Sequence, residues 1–288
     1  MTADFSEETA TAVVVDSFAR TPDDRLRTVL GALVRHLHGF VREVEPTQAE
    51  WEAAIGFLTA VGAMCDDKRQ EFILLSDVLG VSMLVDAINH RTPAGATEST
   101  VLGPFHVVRS PERVLGDDLA DVSEGEPLLV RGRVLDLDGA ALAGAAVDVW
   151  HADAEGFYDV QKDATPDQDL RGLFHTDEDG RFWFRTVEPS HYPIPDDGPV
   201  GDLLRRTKRH PYRPAHIHLI VTADGHVPVT THVFLDGSPY LDDDTVFGVK
   251  RSLVRRVRTE HDADGTPYRV VDFDVTLSGD GRRAAGRG

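Results

Sequence analysis

The hydrophobic period changes once along this chain, and that change limits the fold more than any other feature. Up to about residue 90, apolar residues recur every three or four positions. Leu26, Val29, Leu30, Leu33, Val34, Leu37, Val41 and Val44 form one helical stripe. Thr21-Pro22-Asp23 supplies a cap and an early proline for it. Thr47-Gln48-Ala49-Glu50 is a capping box that opens a second helix through Trp51, Ile55, Leu58 and Val61. A further helix is expected over about residues 69–89. Helices with a single apolar stripe must pack on something, and a local bundle and a dimer interface are compatible answers.

Beyond residue 91, Gly and Pro become frequent and short alternating runs replace the long period. Strands are expected over 128–135, 146–151, 182–187, 215–222, 230–235 and 268–277. Asp138-Gly139, Asp179-Gly180 and Asp264-Gly265 supply turns. Several short strands with Gly-rich turns argue for an antiparallel sandwich. The expected class is therefore α+β, with an N-terminal helical domain over residues 1–100 and an antiparallel β-sandwich domain over 101–288.

Composition mainly excludes. A net charge of −19 over 288 residues repels phosphate backbones, so nucleic acid is not an expected partner. No apolar stretch is long enough to span a bilayer. The N-terminus lacks the basic start and apolar core of a secretory signal, which makes a cytoplasmic protein the expectation. The single cysteine, Cys65, rules out a disulfide framework or a cysteine-rich metal site, and reads best as a buried small side chain. Any metal must be held by His, Tyr, Asp or Glu.

Arg213-Pro214-Ala215-His216-Ile217-His218 is the segment richest in chemistry. Residues two apart on a strand share a face, so His216 and His218 can present two imidazoles to one point. Spacing alone leaves a chance pair of surface histidines equally open. The five tyrosines include Tyr158, in Glu155-Gly156-Phe157-Tyr158-Asp159, and Tyr192, in His191-Tyr192-Pro193-Ile194-Pro195, where prolines stiffen the loop. Either one taken singly reads as a core ring.

Taken together, these segments resemble the intradiol ring-cleavage dioxygenase family. The likeness runs through Glu98-Ser99-Thr100-Val101-Leu102-Gly103-Pro104-Phe105, Ala146-Val147-Asp148-Val149-Trp150-His151-Ala152-Asp153, Arg171-Gly172-Leu173-Phe174, Tyr192-Pro193-Ile194-Pro195 and the Arg213–His218 segment, in order, from about residue 20 to 277. It implies Fe(III) bound by Tyr158, Tyr192, His216 and His218. It also implies a homodimer through the N-terminal helices, with a lipid at the interface. The activity implied is opening of an ortho-dihydroxylated ring by O2, between its two hydroxylated carbons. Tyr192 is then the ligand that leaves and takes a substrate proton, and Arg213 stabilises negative charge developing on the substrate. Anionic phenolate suits a hard ferric ion, whereas zinc favours Cys, His or carboxylate. A two-His, one-carboxylate iron site would need an Asp or Glu that none of these segments supplies as a ligand.

Within that family the hydroxyquinol branch fits best. His232, in Thr230-Thr231-His232-Val233-Phe234, stands where catechol-cleaving relatives usually carry Gln, and a role beside the ligands suits it better than that of a fifth ligand. Leu74-Leu75-Ser76-Asp77-Val78-Leu79-Gly80 and the 240–250 segment also resemble that branch. The resemblance places Leu74, Asp77, Val101, Leu102, Gly103 and Pro104 around the ring of hydroxyquinol (1,2,4-trihydroxybenzene). Phe105, Ile194, Pro195, Arg213 and Val246 complete the pocket, and the product is 3-hydroxy-cis,cis-muconate or maleylacetate. Asp77 could accept a hydrogen bond from the third hydroxyl, although a helix-surface role remains open. Competing readings are a catechol or chlorocatechol 1,2-dioxygenase, a non-catalytic β-sandwich binding module, and a zinc hydrolase using His216 and His218.

Overall fold

The longer period becomes helices and the shorter becomes strands in the computed structural model, which describes residues 4–66, 69–107, 110–162 and 168–280. Contacts divide the chain into two compact units, Met1–Ala63 and Met64–Gly288. The first holds α1 (Ala10–Ser17), α2 (Asp24–Val44) and α3 (Gln48–Ala63). The Asp23 carboxylate caps α2 by accepting from the Leu26 amide at 3.0 Å. The expected capping box opens α3: the Glu50 carboxylate accepts from the Thr47 amide (2.8 Å), and the Thr47 hydroxyl accepts from the Glu50 amide (3.3 Å). Sequence periodicity does not anticipate α1, whose Val13-Val14-Val15 run carries β-branched side chains that weakly oppose a helix. The α2 stripe stays open to solvent in the single chain: Leu33, Leu37 and Val44 are each 50–53% exposed.

The second unit begins with α4 (Glu71–Val78) and α5 (Val81–Asn89). One helix was expected over 69–89. Gly80, at φ +71°, takes the left-handed conformation and breaks it in two. Both helices precede the change of period, yet they group by contact with the strands. The strands are β1 (Pro127–Asp136), β2 (Ala146–His151), β3 (Arg171–His175), β4 (Arg181–Val187), β5 (Tyr192–Pro193), β6 (Tyr212–Arg213), β7 (His216–Thr222), β8 (Val229–Leu235), β9 (Val254–Arg255), β10 (Arg258–His261), β11 (Pro267–Asp272) and β12 (Val275–Leu277). A helix that the sequence reading missed, α6 (Pro199–Arg206), starts on a proline, and its Val200 amide donates to the buried Glu71 carboxylate at 3.1 Å.

Two five-stranded sheets face each other. One runs β10-β11-β1-β12, with β4 on the other side of β1, and the second runs β3-β2-β7-β8-β9. The sandwich is mostly antiparallel, but β1 pairs in parallel with β11 and β12, and β8 in parallel with β9. The strand expected over 268–277 is divided at Phe273-Asp274. There the chain closes on Gly132 so tightly that a Cβ at Gly132 would lie 2.0 Å from the Phe273 carbonyl oxygen. Val130, Val134, Phe182 and Phe184 from one sheet meet Val147, Val149, Ile217 and Leu219 from the other in one fully buried core.

A polar link also crosses between the sheets. His151, at the end of β2, donates from Nδ1 to the Ala152 carbonyl (2.7 Å) and accepts at Nε2 from the Thr186 hydroxyl of β4 (2.6 Å). Burial pushes its pKa down to about 4. Between about pH 6.5 and about 4 the unfolded chain takes up a proton that the folded chain refuses, so acid removes stability across that window. The loss is about 3 kcal/mol by linkage. Urea unfolding of the wild type and His151→Gln at pH 7 and pH 4.5 checks this: the fall in stability on acidification should be smaller in the variant.

Candidate metal centre

The registers of the second sheet lay one row of residues across four strands. Arg171 of β3 faces Trp150 of β2, Trp150 faces His218 of β7, and His218 faces His232 of β8. His216 lies two residues from His218 on the same face, with its Nε2 3.2 Å from the Nε2 of His218. The Trp150 ring stacks on the His218 ring at 4.6 Å. The sheet thus fixes the backbone of both imidazoles.

Loops bring the tyrosines to them. After β2, the Asp153 carboxylate accepts from the Glu155 and Phe157 amides, both at 2.9 Å, and turns the chain back toward the sheet. Gly156, at φ +89°, lets this loop pass Tyr192, because a Cβ there would sit 2.8 Å from the Tyr192 Cβ. The Tyr158 hydroxyl ends 2.9 Å from His218 Nε2 and 3.4 Å from the Tyr192 hydroxyl. Asp159, the next residue, is clamped by the buried Arg171 guanidinium through two hydrogen bonds, one of 2.7 Å from Nε. Tyr192 and Arg213 face each other across the β5–β6 ribbon.

The sequence reading's four candidate ligands therefore meet. Tyr158, Tyr192, His216 and His218 are all nearly inaccessible, and their two oxygens and two Nε2 atoms converge. The Pro214 carbonyl accepts from His216 Nδ1 at 2.8 Å, and Arg213 Nη1 donates to His216 Nε2 at 3.2 Å. That fixes the tautomer and aims the Nε2 lone pair inward. Burial first, then the neighbouring Tyr192, holds the Tyr158 phenol well above its ordinary pKa. Burial likewise keeps His216, His218 and His232 neutral, well below the usual imidazole range. Neutral imidazoles are ready to bind a cation, and a cation would reverse the balance for the phenols.

His232 is fully buried, with its ring 4.1 Å from that of His218 and 4.6 Å from that of His216. Among the described residues these three form a cluster of imidazoles able to share an ion, with ligand atoms within 4.8 Å of one another. Neither nitrogen of His232 has a well-formed hydrogen bond, and the Val101 backbone only weakly favours its protonated form.

Arg213 lies within reach of the tyrosines, its Nη1 3.4 Å from the Tyr192 hydroxyl. Sequence reasoning missed the group that holds it. Asp244 accepts from Arg213 Nε (3.2 Å) and Nη2 (3.3 Å), and also from the amides of Val246 (3.3 Å) and Gly248 (3.0 Å). Burial alone would loosen the guanidinium's proton, but Asp244 and the two tyrosines more than offset this and raise its pKa. The only signal for Asp244 was the Asp242-Asp243-Asp244 run, in which nothing separates the buried member from its neighbours.

The residues expected around a substrate are placed unevenly. Phe105 stacks on Tyr158 at 4.4 Å, and a Cβ on Gly103 would lie 3.1 Å from His218 Cε1. Asp77 lies within electrostatic range of Arg213 and Asp244, with its carboxyl raised by burial although the Ser82 hydroxyl and Arg213 oppose this. Ile194 and Val246 are buried, on the segments that carry Tyr192 and Asp244. Leu74, one turn before Asp77, and Pro195, next to Ile194, are half-buried, whereas Leu102 and Pro104, on either side of Gly103, are exposed.

Known proteins share this arrangement of chain. Residues 103–279 match the family model described as Dioxygenase, and residues 23–97 match that described as Catechol dioxygenase N terminus. The chain is 55% identical over 260 residues to a hydroxyquinol 1,2-dioxygenase of Rhizobium sp. (strain MTP-10005), covering 90% of this chain and 88% of that one. It is 52% identical over 275 residues to a 6-chlorohydroxyquinol 1,2-dioxygenase of Cupriavidus pinatubonensis, covering 96% and 98%. The solved hydroxyquinol 1,2-dioxygenase of Pseudomonas putida DLL-E4 superposes with a TM-score of 0.92 at 46% identity, over 95% of this chain and 99% of that one.

The Arg213–Asp244 pair generates a stability prediction. Asp244→Ala leaves a buried guanidinium without its counter-charge, which costs about 3–5 kcal/mol in comparable sites. Urea unfolding should show that loss, whereas Asp243→Ala, on the exposed neighbour, should stay within about 0.5 kcal/mol of the wild type.

Proposed function

Because the chain belongs to the intradiol ring-cleavage dioxygenase family, we propose that it opens hydroxyquinol with O2 at a ferric ion held by Tyr158, Tyr192, His216 and His218. The observation that carries the ligand set is the convergence of two phenol oxygens and two Nε2 atoms within hydrogen-bond distance of their neighbours. That donor set suits a hard trivalent cation, since deprotonated phenols offset much of its charge. It does not suit a zinc hydrolase, and a β-sandwich module would have no use for it. A ferric ion held by these four residues would supply Lewis acidity, making an ortho-diol easier to deprotonate and drawing electron density from its ring so that it could react with O2.

The chain's own residues then have separate tasks. The Tyr192 oxygen is the base that takes a proton from a substrate hydroxyl as that hydroxyl binds. Tyr158 stays in place, held by the Phe105 stack and by the backbone bond from its amide to the Gln161 side chain (2.9 Å). Arg213, fixed by Asp244, faces the negative charge that develops on the substrate. Its charge cannot be lost at any working pH. The Asp77 carboxylate, already bonded by the Ser82 hydroxyl, also accepts the third hydroxyl of hydroxyquinol, and a ring without that hydroxyl forfeits this bond. Gly103 and Phe105, with Leu74, Val101, Leu102, Pro104, Ile194, Pro195 and Val246, enclose the ring.

Residues 1–100 serve assembly in this reading and 101–288 carry the chemistry, with α4 lending Leu74 and Asp77 to the pocket. The open apolar stripe of α2 supports a homodimer through the N-terminal helices. A lipid at that interface is a further expectation that follows from family membership. No helix among the described residues is long and apolar enough to cross a membrane.

A visible spectrum tests the site directly. Protein purified without added metal should contain iron and be coloured by phenolate-to-iron charge transfer, and anaerobic hydroxyquinol should shift the band. Colourless, zinc-loaded protein would remove the basis for the proposal. Tyr192→Phe should keep a band from Tyr158 while kcat falls by about 10²–10⁴-fold, the usual range for loss of a positioned base. Hydroxyquinol should exceed catechol in kcat/KM, and Asp77→Asn should narrow the gap.

A further inference from the structure

Helix α4 ends at Val78, and its last carbonyls need partners. The Leu75 and Asp77 carbonyls accept from the amides of Leu79 (3.1 Å) and Gly80 (2.9 Å). The Val78 carbonyl instead accepts from a side chain 131 positions away, Arg209 Nη1, at 2.6 Å. The other arm of the same guanidinium, Nη2, donates to the Thr245 carbonyl at 2.8 Å. Its flat face lies over the Phe247 ring at 5.1 Å. Phe247 itself holds a left-handed backbone (φ +60°), and its ring covers Gly80, where a Cβ would be only 3.4 Å away. One side chain therefore joins the end of α4 to the loop that presents Asp244.

The two joined segments carry Asp77 and Asp244, both carboxyls within electrostatic range of Arg213. Asp77 immediately precedes Val78. Asp244 immediately precedes Thr245 and holds Arg213. An open groove of about 500 Å³ runs beside the Asp244 loop, lined by Arg209, Asp243, Asp244, Thr245 and Phe247 among others, so packing supports that loop on one side only. A forked guanidinium bonded to one carbonyl on each segment fixes their spacing. On the reading that Asp77 selects hydroxyquinol, we propose that Arg209 is a positioning residue for substrate selection, acting through α4 to hold Asp77 at a set distance from Arg213.

The test uses Arg209→Gln and Arg209→Lys in the full-length, metal-loaded enzyme, each also combined with Asp77→Asn. The resting visible band should be unchanged, since Arg209 touches no ligand. In Arg209→Gln the ratio of kcat/KM for hydroxyquinol to that for catechol should fall by about tenfold, through a higher KM for hydroxyquinol, with kcat for both substrates within about twofold. Arg209→Lys, which keeps the charge but not the fork, should fall between, and it decides the matter if Arg209→Gln does not fold. In the Asp77→Asn background either change should move the ratio by less than about twofold, because the residues act as one unit. An unchanged ratio, an equal fall for both substrates, or an undiminished effect without Asp77 overturns the proposal. A wild type that shows no preference for hydroxyquinol sinks the substrate reading itself, a different result from a wild-type preference that survives loss of Arg209.

Discussion

Gathering two phenols, three imidazoles and a guanidinium in a space closed to water is the arrangement on which the rest of this structure depends. Each group would be better solvated outside. Burial holds the Tyr158 phenol protonated and the imidazoles neutral, so without a cation only Arg213 carries full charge among them, and Asp244 balances it. The pocket is thus arranged for a positive charge it does not itself provide. A trivalent ion would turn the phenols into phenolates and take up both Nε2 lone pairs in place of the Tyr158 hydroxyl and Arg213, so metal binding and folding draw on the same free energy.

The scaffold divides this task between rigid and adjustable parts. His216 and His218 come from a central strand, paired on both sides, where backbone hydrogen bonds fix their spacing. Tyr192 comes from a two-residue strand paired only with another short one. That difference suits their proposed roles: imidazoles that stay, and a phenol that leaves its place to take a proton. Tyr158 is intermediate. It lies on a loop, but the Asp153 turn, the Gln161 bond and the Asp159–Arg171 pair pin that loop to the sheet.

The ease of reading this chain followed the range of the interactions involved. Alternation gave most of the central strands to within a residue or two, because one face of each is the shared core, and it gave the His216 and His218 face for the same reason. The break at Gly80 was less visible, since a glycine within an apolar helical run signals nothing until its φ is known. Strand β3 escaped because Arg171-Gly172-Leu173-Phe174-His175 carries a charge on a buried position, and the partner that permits this, Asp159, is local only in the fold. Asp244 escaped for a related reason. Three aspartates in a row look alike until one is found beneath Arg213. The four proposed ligands were legible as a set only through the family resemblance, since a lone tyrosine on a loop is indistinguishable from a core ring.

The proposed place of the third-hydroxyl acceptor, on α4, is consistent with the same geometry. One row of the sheet face is occupied by Arg171, Trp150, His218 and His232, with His216 beside it, and none of these five side chains is a carboxylate. In the proposed reading, the group that distinguishes a triol from a diol reaches in from another element, α4. It must also be an acceptor held away from Arg213, or the two would neutralise each other as Asp244 and Arg213 already do. A helix end meets both demands, because its backbone is stiff and its distance from the sheet can be set by one side chain. Selectivity would then reside in α4 and its tether while the reaction resides in the sandwich, so substrate preference could change within this fold without disturbing the ligands.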